Sequence, residues 1–174
     1  MPSFKYAQIE YERRFLLTQL PPDVSHKQYT IITDVYIPDT RLRLRQISSP
    51  DGEILALKMT QKYSEPDYPA TQTIITNIYL NEVEFEKLKG VNGRLLTKHR
   101  YTYQHSGHRW SLDVFQGSLY GLILAEIEAR SAEELAQIPV PGFAVTEVTD
   151  DSRFTGGALI QATAKGIATL LTDV

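Results

Sequence analysis

The chain has 174 residues, a formal net charge of −3, 42% hydrophobic and 22% charged residues, and no cysteine. This length suits a single domain, residues 1–174, and the charge balance excludes a global basic field for nucleic acid. Without cysteine there is neither a disulfide nor a thiolate metal site, and no apolar run approaches the ~20 residues of a membrane span. We therefore expect a cytoplasmic protein that binds neither nucleic acid nor a membrane.

Eight segments are rich in β-branched and aromatic residues or alternate in polarity, and they are predicted as strands. They are residues 7–17, 29–37, 40–47, 53–60, 70–78, 94–104, 109–116 and 123–129. A helix is predicted over residues 81–88, with Asn81 as its N-cap, and a short one opens at Ser131. A third, amphipathic helix is predicted over residues 156–171.

Charge alternates with a period of two in several of the predicted strands. Side chains two residues apart in a strand point to the same face, about 6.8 Å from each other. The residues between the charged positions are mostly apolar, as in Arg41-Leu42-Arg43-Leu44-Arg45. An antiparallel set of eight strands can close on itself and remove its exposed edges. The pattern therefore predicts a sheet closed around a charged interior.

Two pairs of carboxylates follow this alternation. Glu10 and Glu12 lie in the first strand, and Glu126 and Glu128 lie in the last, which is too apolar to be an exposed edge. A buried carboxylate must be paired or must bind a cation. Four carboxylates that face one cavity suit a hard divalent cation with oxygen ligands, Mg²⁺ or Mn²⁺.

Basic residues occupy the alternate positions of other strands. These are Arg41, Arg43, Arg45, Lys58, Lys98 and Arg100. Arginine forks match phosphate oxygens bidentately, and lysine supplies a point charge. The alternative is a basic outer face that binds RNA, but no aromatic residues interleave to form the stacking platform that such a face needs. The pattern favours an anion site inside the sheet.

Residues 10–17, Glu-Tyr-Glu-Arg-Arg-Phe-Leu-Leu, resemble the N-terminal Glu-x-Glu-x-Lys signature of the CYTH superfamily, the triphosphate tunnel metalloenzymes. The resemblance continues in order through the arginine strand and across nearly the whole chain, and it is closest to the short prokaryotic members. Its further segments are Leu57-Lys58 and residues 98–101, 110–115, 121–128 and 147–154.

The resemblance implies an α+β fold, a closed eight-stranded antiparallel β-barrel or tunnel with helices packed outside. It implies metal-dependent hydrolysis of a small triphosphate: inorganic tripolyphosphate first, or a nucleoside or thiamine triphosphate. Glu10, Glu12, Glu126 and Glu128 would be the metal ligands. Phosphate would be bound by Arg43, Arg45, Lys58, Lys98 and Arg100, with Arg41 as an extra arginine of the same set. Lys58 and Arg14 would be the catalytic cations, and a homodimer is left open.

Two departures from the family pattern stand out. Arg14 replaces the signature lysine, so it keeps the charge but does not deprotonate in a useful range. Residues 71–78 contain no acid where relatives carry alternating glutamates, which weakens a second metal position. Glu82, Glu84 and Glu86 do not replace them, because they belong to the predicted helix.

These departures keep other functions open. A tunnel that binds nucleotide or polyphosphate without turnover is one, and a class IV type adenylate cyclase is another. A lipocalin-like carrier fits poorly, because carriers have apolar cavities. Three smaller expectations complete the analysis. Trp110 is outer packing beneath a helix, Glu147 is an open candidate for an extra acid at the tunnel mouth, and Asp151 and Arg153 form an ion pair at the mouth or on the surface.

Overall fold

Eight antiparallel strands form a closed barrel in the computed structural model, which describes residues 5–25 and 28–172. The remaining residues of the predicted domain 1–174 lie outside this description. The strands are β1 Gln8–Leu17, β2 Tyr29–Tyr36, β3 Leu42–Ser48, β4 Ile54–Tyr63, β5 Gln72–Tyr79, β6 Arg94–His105, β7 His108–Phe115 and β8 Ile123–Ala129. Around the barrel the order is β5-β4-β3-β2-β6-β7-β8-β1, and β1 pairs back onto β5. The predicted eight-stranded antiparallel barrel is confirmed.

Strand β1 closes the barrel because it has two partners along its length. Its first half pairs with β5, where Glu10 lies opposite Thr73. Its second half pairs with β8, where Glu12 lies opposite Glu128 and Arg14 lies opposite Glu126. A further strand of two residues, β9 Thr146–Glu147, adds to the end of β1. The two predicted acidic pairs are therefore neighbours across one ladder.

Four short α-helices accompany the barrel in the described part of the chain. They are α1 Glu82–Lys89, α2 Ala132–Gln137, α3 Gly156–Leu159 and α4 Ala164–Thr172. A capping box at Asn81 begins α1, and the Ser131 side chain caps α2, as the sequence predicts. The single helix predicted over residues 156–171 is wrong in one respect, because the chain leaves the helix between α3 and α4. No helix among the described residues has the length and apolar character needed to cross a membrane.

One apolar core lies outside the barrel wall, beneath α2. Trp110 is 2% exposed, and its ring meets Phe15 at 5.6 Å and Phe143 at 5.4 Å between ring centroids, both edge to face. Leu135 of α2 belongs to the same cluster. Because Phe15 and Trp110 occupy outward positions of β1 and β7, this packing leaves the inward positions for polar side chains. The outer placement predicted for Trp110 is confirmed.

A second apolar core covers one end of the barrel interior. The inward positions of four strands change there from charged to apolar, at Leu16, Leu96, Phe115 and Leu124. Side chains of the C-terminal segment pack on them, namely Phe154, Leu159, Ile167 and Leu170. The charged interior therefore has an apolar floor.

Candidate active site

A cavity of about 360 Å³ lies inside the barrel above this floor. That size is in the range of small-molecule sites. Its charged lining includes Glu12, Arg14, Arg43, Lys62, Lys98 and Glu126. These side chains come from five strands, and each occupies an inward position of its strand. The alternation in the sequence thus corresponds to a charged cavity.

Three of the four predicted metal ligands form one cluster. Glu10, Glu12 and Glu128 each offer a carboxylate oxygen, and these oxygens lie within 4.8 Å of one another. Glu126 is not part of this group, because its carboxylate accepts a hydrogen bond from Arg100. An all-carboxylate donor set fits a hard divalent cation such as Mg²⁺ or Mn²⁺.

Crowding of negative charge acts on these carboxyl groups unequally. Burial and the charge of Glu126 raise the pKa of Glu12. Partial burial and the charges of Glu10 and Glu12 raise the pKa of Glu128. Burial would also raise the pKa of Glu126, but Lys98 and Arg100 outweigh it, and the pKa is lowered. Glu126 therefore stays ionised as part of a salt bridge, and the other two keep an affinity for positive charge.

Lys62 supplies positive charge to this cluster, and the sequence analysis did not identify this residue. Its ammonium donates a hydrogen bond to Glu10 and lies 3.5 Å from Glu12. Burial lowers the pKa of Lys62, but the charges of Glu12 and Glu10 outweigh this and raise it. The prediction ended the fourth strand at residue 60, whereas β4 continues to Tyr63. Extending the period-two pattern from Lys58 through Thr60 would have placed Lys62 on the inner face.

Asp34 is a second residue that the sequence analysis did not assign. It is 0% exposed and accepts hydrogen bonds from Arg45 Nε and Nη2, both at 2.6 Å. Arg43 lies 3.7 Å away and donates to the Tyr36 hydroxyl at 3.0 Å. Burial would raise the pKa of Asp34, but Arg45 and Arg43 lower it. The Arg43 Nε is buried and has no hydrogen-bond partner among the described residues.

Asp113 has the same role on β7, which is separated from the Asp34 strand by β6. It is 0% exposed and accepts hydrogen bonds from Arg100 Nε at 2.7 Å and Nη2 at 2.6 Å. Lys98 also donates to it. The sequence contained a signal for both aspartates: each is an acid at an inward position of an apolar strand, and such an acid needs a buried partner. The structure shows that four of the predicted phosphate-binding residues are held by these two carboxylates.

The other predicted cations differ in accessibility. Arg14 donates from Nε to Glu12 and from Nη1 to the Phe154 carbonyl oxygen, both at 3.0 Å. Lys58 is half-buried near the Tyr79 ring, and burial followed by the charges of Arg45 and Arg43 lowers its pKa. The structure corrects the interior placement of Arg41, which is exposed just before β3.

Arg41 lies at the cavity mouth. Its guanidinium carbon is 3.9 Å from the centre of the Tyr63 ring. It also belongs to the cavity lining, so it can meet an entering anion without sharing the buried arrangement of Arg43 and Arg45.

The inward face of β5 carries no acid. Thr73, Ile75 and Asn77 occupy it, and the Asn77 side-chain oxygen accepts a hydrogen bond from Thr60 at 2.7 Å. The three glutamates that follow, at residues 82, 84 and 86, lie on α1, as interpreted from the sequence. Lys62 pairs across the ladder with Ile75. The side of the cavity that lacks acids is therefore the side that supplies a lysine.

The remaining candidate acids lie outside the cavity. Glu147 is not a mouth acid, because its carboxylate accepts two hydrogen bonds from Arg13, at 2.9 and 2.7 Å, on the outer face of β1. Asp151 and Arg153 pair at 2.6 Å, and half of the Arg153 side chain is exposed, which makes this a surface pair.

Similarity to known proteins agrees with this geometry. The chain is 32% identical over 154 residues to an inorganic triphosphatase of Nitrosomonas europaea, covering 86% of this chain and 95% of that protein. The chain belongs to the inorganic triphosphatase family. A second member, from Acetivibrio thermocellus, is 30% identical over 108 residues, covering 57% of this chain and 68% of its own length.

A solved structure supports the same family at the level of the fold. The crystal structure of the inorganic triphosphatase NE1496 aligns with a TM-score of 0.58 and 26% identity, over 88% of this chain and 95% of that one. No family model matches the chain.

Proposed function

We propose that the protein is a CYTH-type tunnel enzyme that hydrolyses a phosphoanhydride bond of a linear triphosphate, with inorganic tripolyphosphate as its first substrate. The observation that carries this proposal is the cluster of Glu10, Glu12 and Glu128 beside a cavity lined by arginine and lysine. Both relatives identified by sequence are inorganic triphosphatases, which supports the same reaction.

The carboxylate cluster would hold the divalent cation, Mg²⁺ or Mn²⁺. When bound there, such an ion would neutralise phosphate charge and lower the pKa of a coordinated water. Arg14 orients the buried member of the cluster, because its Nε donates to Glu12 at 3.0 Å. Its other donor is bound to a backbone carbonyl, so the guanidinium is fixed on two sides.

Phosphoryl transfer leaves the protein little covalent chemistry, so its residues position the substrate and stabilise charge. The two cationic pairs, Arg43 with Arg45 on β3 and Lys98 with Arg100 on β6, are held by Asp34 and Asp113. Their remaining donors can bind phosphate oxygens and stabilise the charge that develops on the leaving group.

Lys58 adds a half-buried cation close to Arg45, directly across the ladder. Its lowered pKa results from burial and from those neighbouring positive charges. A bound phosphate would relieve that repulsion, so Lys58 is suited to phosphate binding.

A second candidate function is binding of nucleotide or polyphosphate without turnover. The acid-free inner face of β5 favours it, because this wall offers neutral side chains, Thr73, Ile75 and Asn77, where a second cation would need carboxylates. The contact of Lys62 with Glu10 favours it as well, because an internal ammonium can replace a divalent ion in the cluster.

Phosphate release decides between these functions. Tripolyphosphate, ATP and thiamine triphosphate would be incubated with the protein in Mg²⁺, in Mn²⁺ and in chelator, and the products identified. We expect metal-dependent release from tripolyphosphate, and at least tenfold less with Glu128→Gln. Glu128 is exposed, so this change leaves the core packing intact.

Glu53→Gln is the matched control, since Glu53 is an exposed carboxylate outside the barrel interior. Turnover that resists chelation, or an unchanged rate in Glu128→Gln, would reject the metal assignment. Calorimetric binding of tripolyphosphate with no turnover would establish the binding protein instead, and a cyclic nucleotide product from ATP would establish a cyclase.

A further inference from the structure

We infer that Lys62 is a built-in cation of the carboxylate cluster, and that a divalent ion enters the cluster by displacing the Lys62 ammonium toward the bound phosphate chain. This inference rests on the proposed function and deepens it, because it makes Lys62 the residue that couples metal binding to substrate binding.

Negative charge is crowded in the carboxylate cluster when no metal ion is bound. Three carboxylates with oxygens within 4.8 Å of one another repel each other. Lys62 contacts two of them, Glu10 by a hydrogen bond and Glu12 at 3.5 Å. Its side chain is 26% exposed, so little water screens these contacts. The ammonium therefore stabilises the cluster when no other cation is present.

A divalent ion competes with the ammonium, because both need the same oxygens, those of Glu10 and Glu12. The inner face of β5 offers no further carboxylate to which the ammonium could move, because Thr73, Ile75 and Asn77 occupy it. Binding of the ion must then displace Lys62 from the cluster, and the affinity for the ion is reduced by the contacts that are lost.

The displaced ammonium would move into the adjoining cavity. Lys62 lines the same cavity as Arg14 and Arg43. In an empty cavity these positive neighbours disfavour a further free cation, whereas a triphosphate bound there would attract it. The ion and the phosphate chain therefore each favour binding of the other, and the coupling is reciprocal.

The inference is tested by calorimetric titration of Mn²⁺ into chelator-treated protein without any phosphate. We expect Lys62→Gln to bind Mn²⁺ at least tenfold more tightly than the wild type. Lys62→Arg, which keeps the charge, should stay close to the wild type. Lys89→Gln is the matched control, because Lys89 pairs at 3.1 Å with Glu86 on the exposed face of α1.

A second titration measures the coupling. In the presence of an imido analogue of triphosphate, Mn²⁺ affinity should rise several-fold in the wild type and less in Lys62→Gln. Without metal, Lys62→Gln should unfold at a lower temperature than the wild type, and Mn²⁺ should raise its unfolding temperature by the larger amount.

The wild type gives a further measurement that does not depend on the variant folding. Acetylation of Lys62 by an N-hydroxysuccinimide ester, followed by mass spectrometry, should be slow without metal and faster with Mg²⁺, with exposed Lys89 as the internal reference. Equal labelling with and without Mg²⁺, or equal or weaker Mn²⁺ affinity in Lys62→Gln, would overturn the inference.

Those results are separable from failure of the proposed function. If the wild type hydrolyses tripolyphosphate with metal while Lys62→Gln binds Mn²⁺ no better, only the role of Lys62 is wrong. If neither protein binds Mn²⁺ and the wild type shows no metal-dependent turnover, the inference and the proposed metal site are both wrong.

Discussion

Replacing Asp34 with asparagine removes one charge from a fully buried ion pair and almost no volume. Asp34 is 0% exposed, and both of its oxygens accept hydrogen bonds from Arg45 at 2.6 Å, with Arg43 at 3.7 Å. The substitution leaves two buried guanidinium groups without their counter-charge. We expect Asp34→Asn to fold, with a clear loss of stability.

The magnitude follows from the burial. Removing one partner of a buried ion pair costs about 3–5 kcal/mol, because the other charge remains desolvated and unpaired. For a chain of this size, each kcal/mol lowers the midpoint of thermal unfolding by about 2–4 °C. The variant should therefore unfold about 6–20 °C below the wild type at neutral pH. Tripolyphosphate should stabilise the variant more than the wild type, because its oxygens can pair with the guanidinium donors that have lost Asp34.

The pH dependence has a definite sign. Arg45 and Arg43 lower the pKa of Asp34 below its ordinary value of 3.8, although burial acts in the opposite direction. A depressed pKa in the folded state adds stability that is complete above the unfolded value and is lost as the pH falls through the folded value. The stability difference between the wild type and Asp34→Asn should thus be constant near neutrality and shrink below about pH 4.

Differential scanning calorimetry between pH 3 and pH 8 measures both effects, and urea unfolding at pH 7 measures the free energy of unfolding directly. Asp67→Asn is the control, since Asp67 is exposed in the loop before β5. A midpoint within 2 °C of the wild type at pH 7 would refute the view that Asp34 is the counter-charge of the arginine pair. So would a stability difference that grows as the pH is lowered.

Three further variants test other parts of the molecule. Arg45→Ala removes hydrogen bonds to a charged ligand and should weaken tripolyphosphate binding about tenfold to a hundredfold by calorimetry; an affinity within twofold would move the anion site elsewhere. Trp110→Ala empties a 2% exposed site in the outer core and should cost about 3–5 kcal/mol in urea unfolding, and a loss below 1 kcal/mol would contradict that packing. Gly156→Ala would place a methyl group 2.1 Å from the Tyr36 hydroxyl, which accepts a hydrogen bond from Arg43. We therefore expect KM for tripolyphosphate to rise with the fold retained. An unchanged KM would show that Tyr36 does not contribute to the site.

The barrel and the inner face of most strands were predictable from the sequence, because strand periodicity is a local property. Alternation at Arg43 and Arg45, or at Glu126 and Glu128, predicts which side chains share a face of their strand, independently of the fold of the rest of the chain. The outer position of Trp110 followed from the same rule.

The partners of these side chains were not predictable in the same way. Which residue lies across the ladder depends on register, and register is set by the whole barrel. Glu126 was therefore grouped with Glu10 and Glu12, whereas Arg14 is its ladder neighbour and Arg100 binds its carboxylate. Because the predicted end of β4 was a few residues too early, Lys62 was not recognised as an inward residue. The break between α3 and α4 was hidden because both pieces carry apolar residues at helical spacing.

The two buried aspartates explain how the barrel interior can hold so many cations. Arg45 uses Nε and Nη2 to bind Asp34, and Arg100 uses the same two atoms on Asp113, so each guanidinium is held in one plane with its other nitrogen available. Holding the forks in place before a ligand arrives removes much of the entropy cost of ordering long side chains. A phosphate chain then meets donors that are already oriented, and the aspartates need not leave for it to bind.

The arginine pairs and Lys62 differ in whether they must move when a ligand binds. An arginine that remains on its carboxylate while it binds phosphate is a fixed part of the site. The Lys62 ammonium contacts Glu10 and Glu12, whose oxygens a divalent ion in the cluster would also need, so the ion competes directly with this lysine. We therefore expect this lysine, and not the arginines, to change position when the site is occupied. For the same reason Lys62 should control metal affinity more than phosphate affinity.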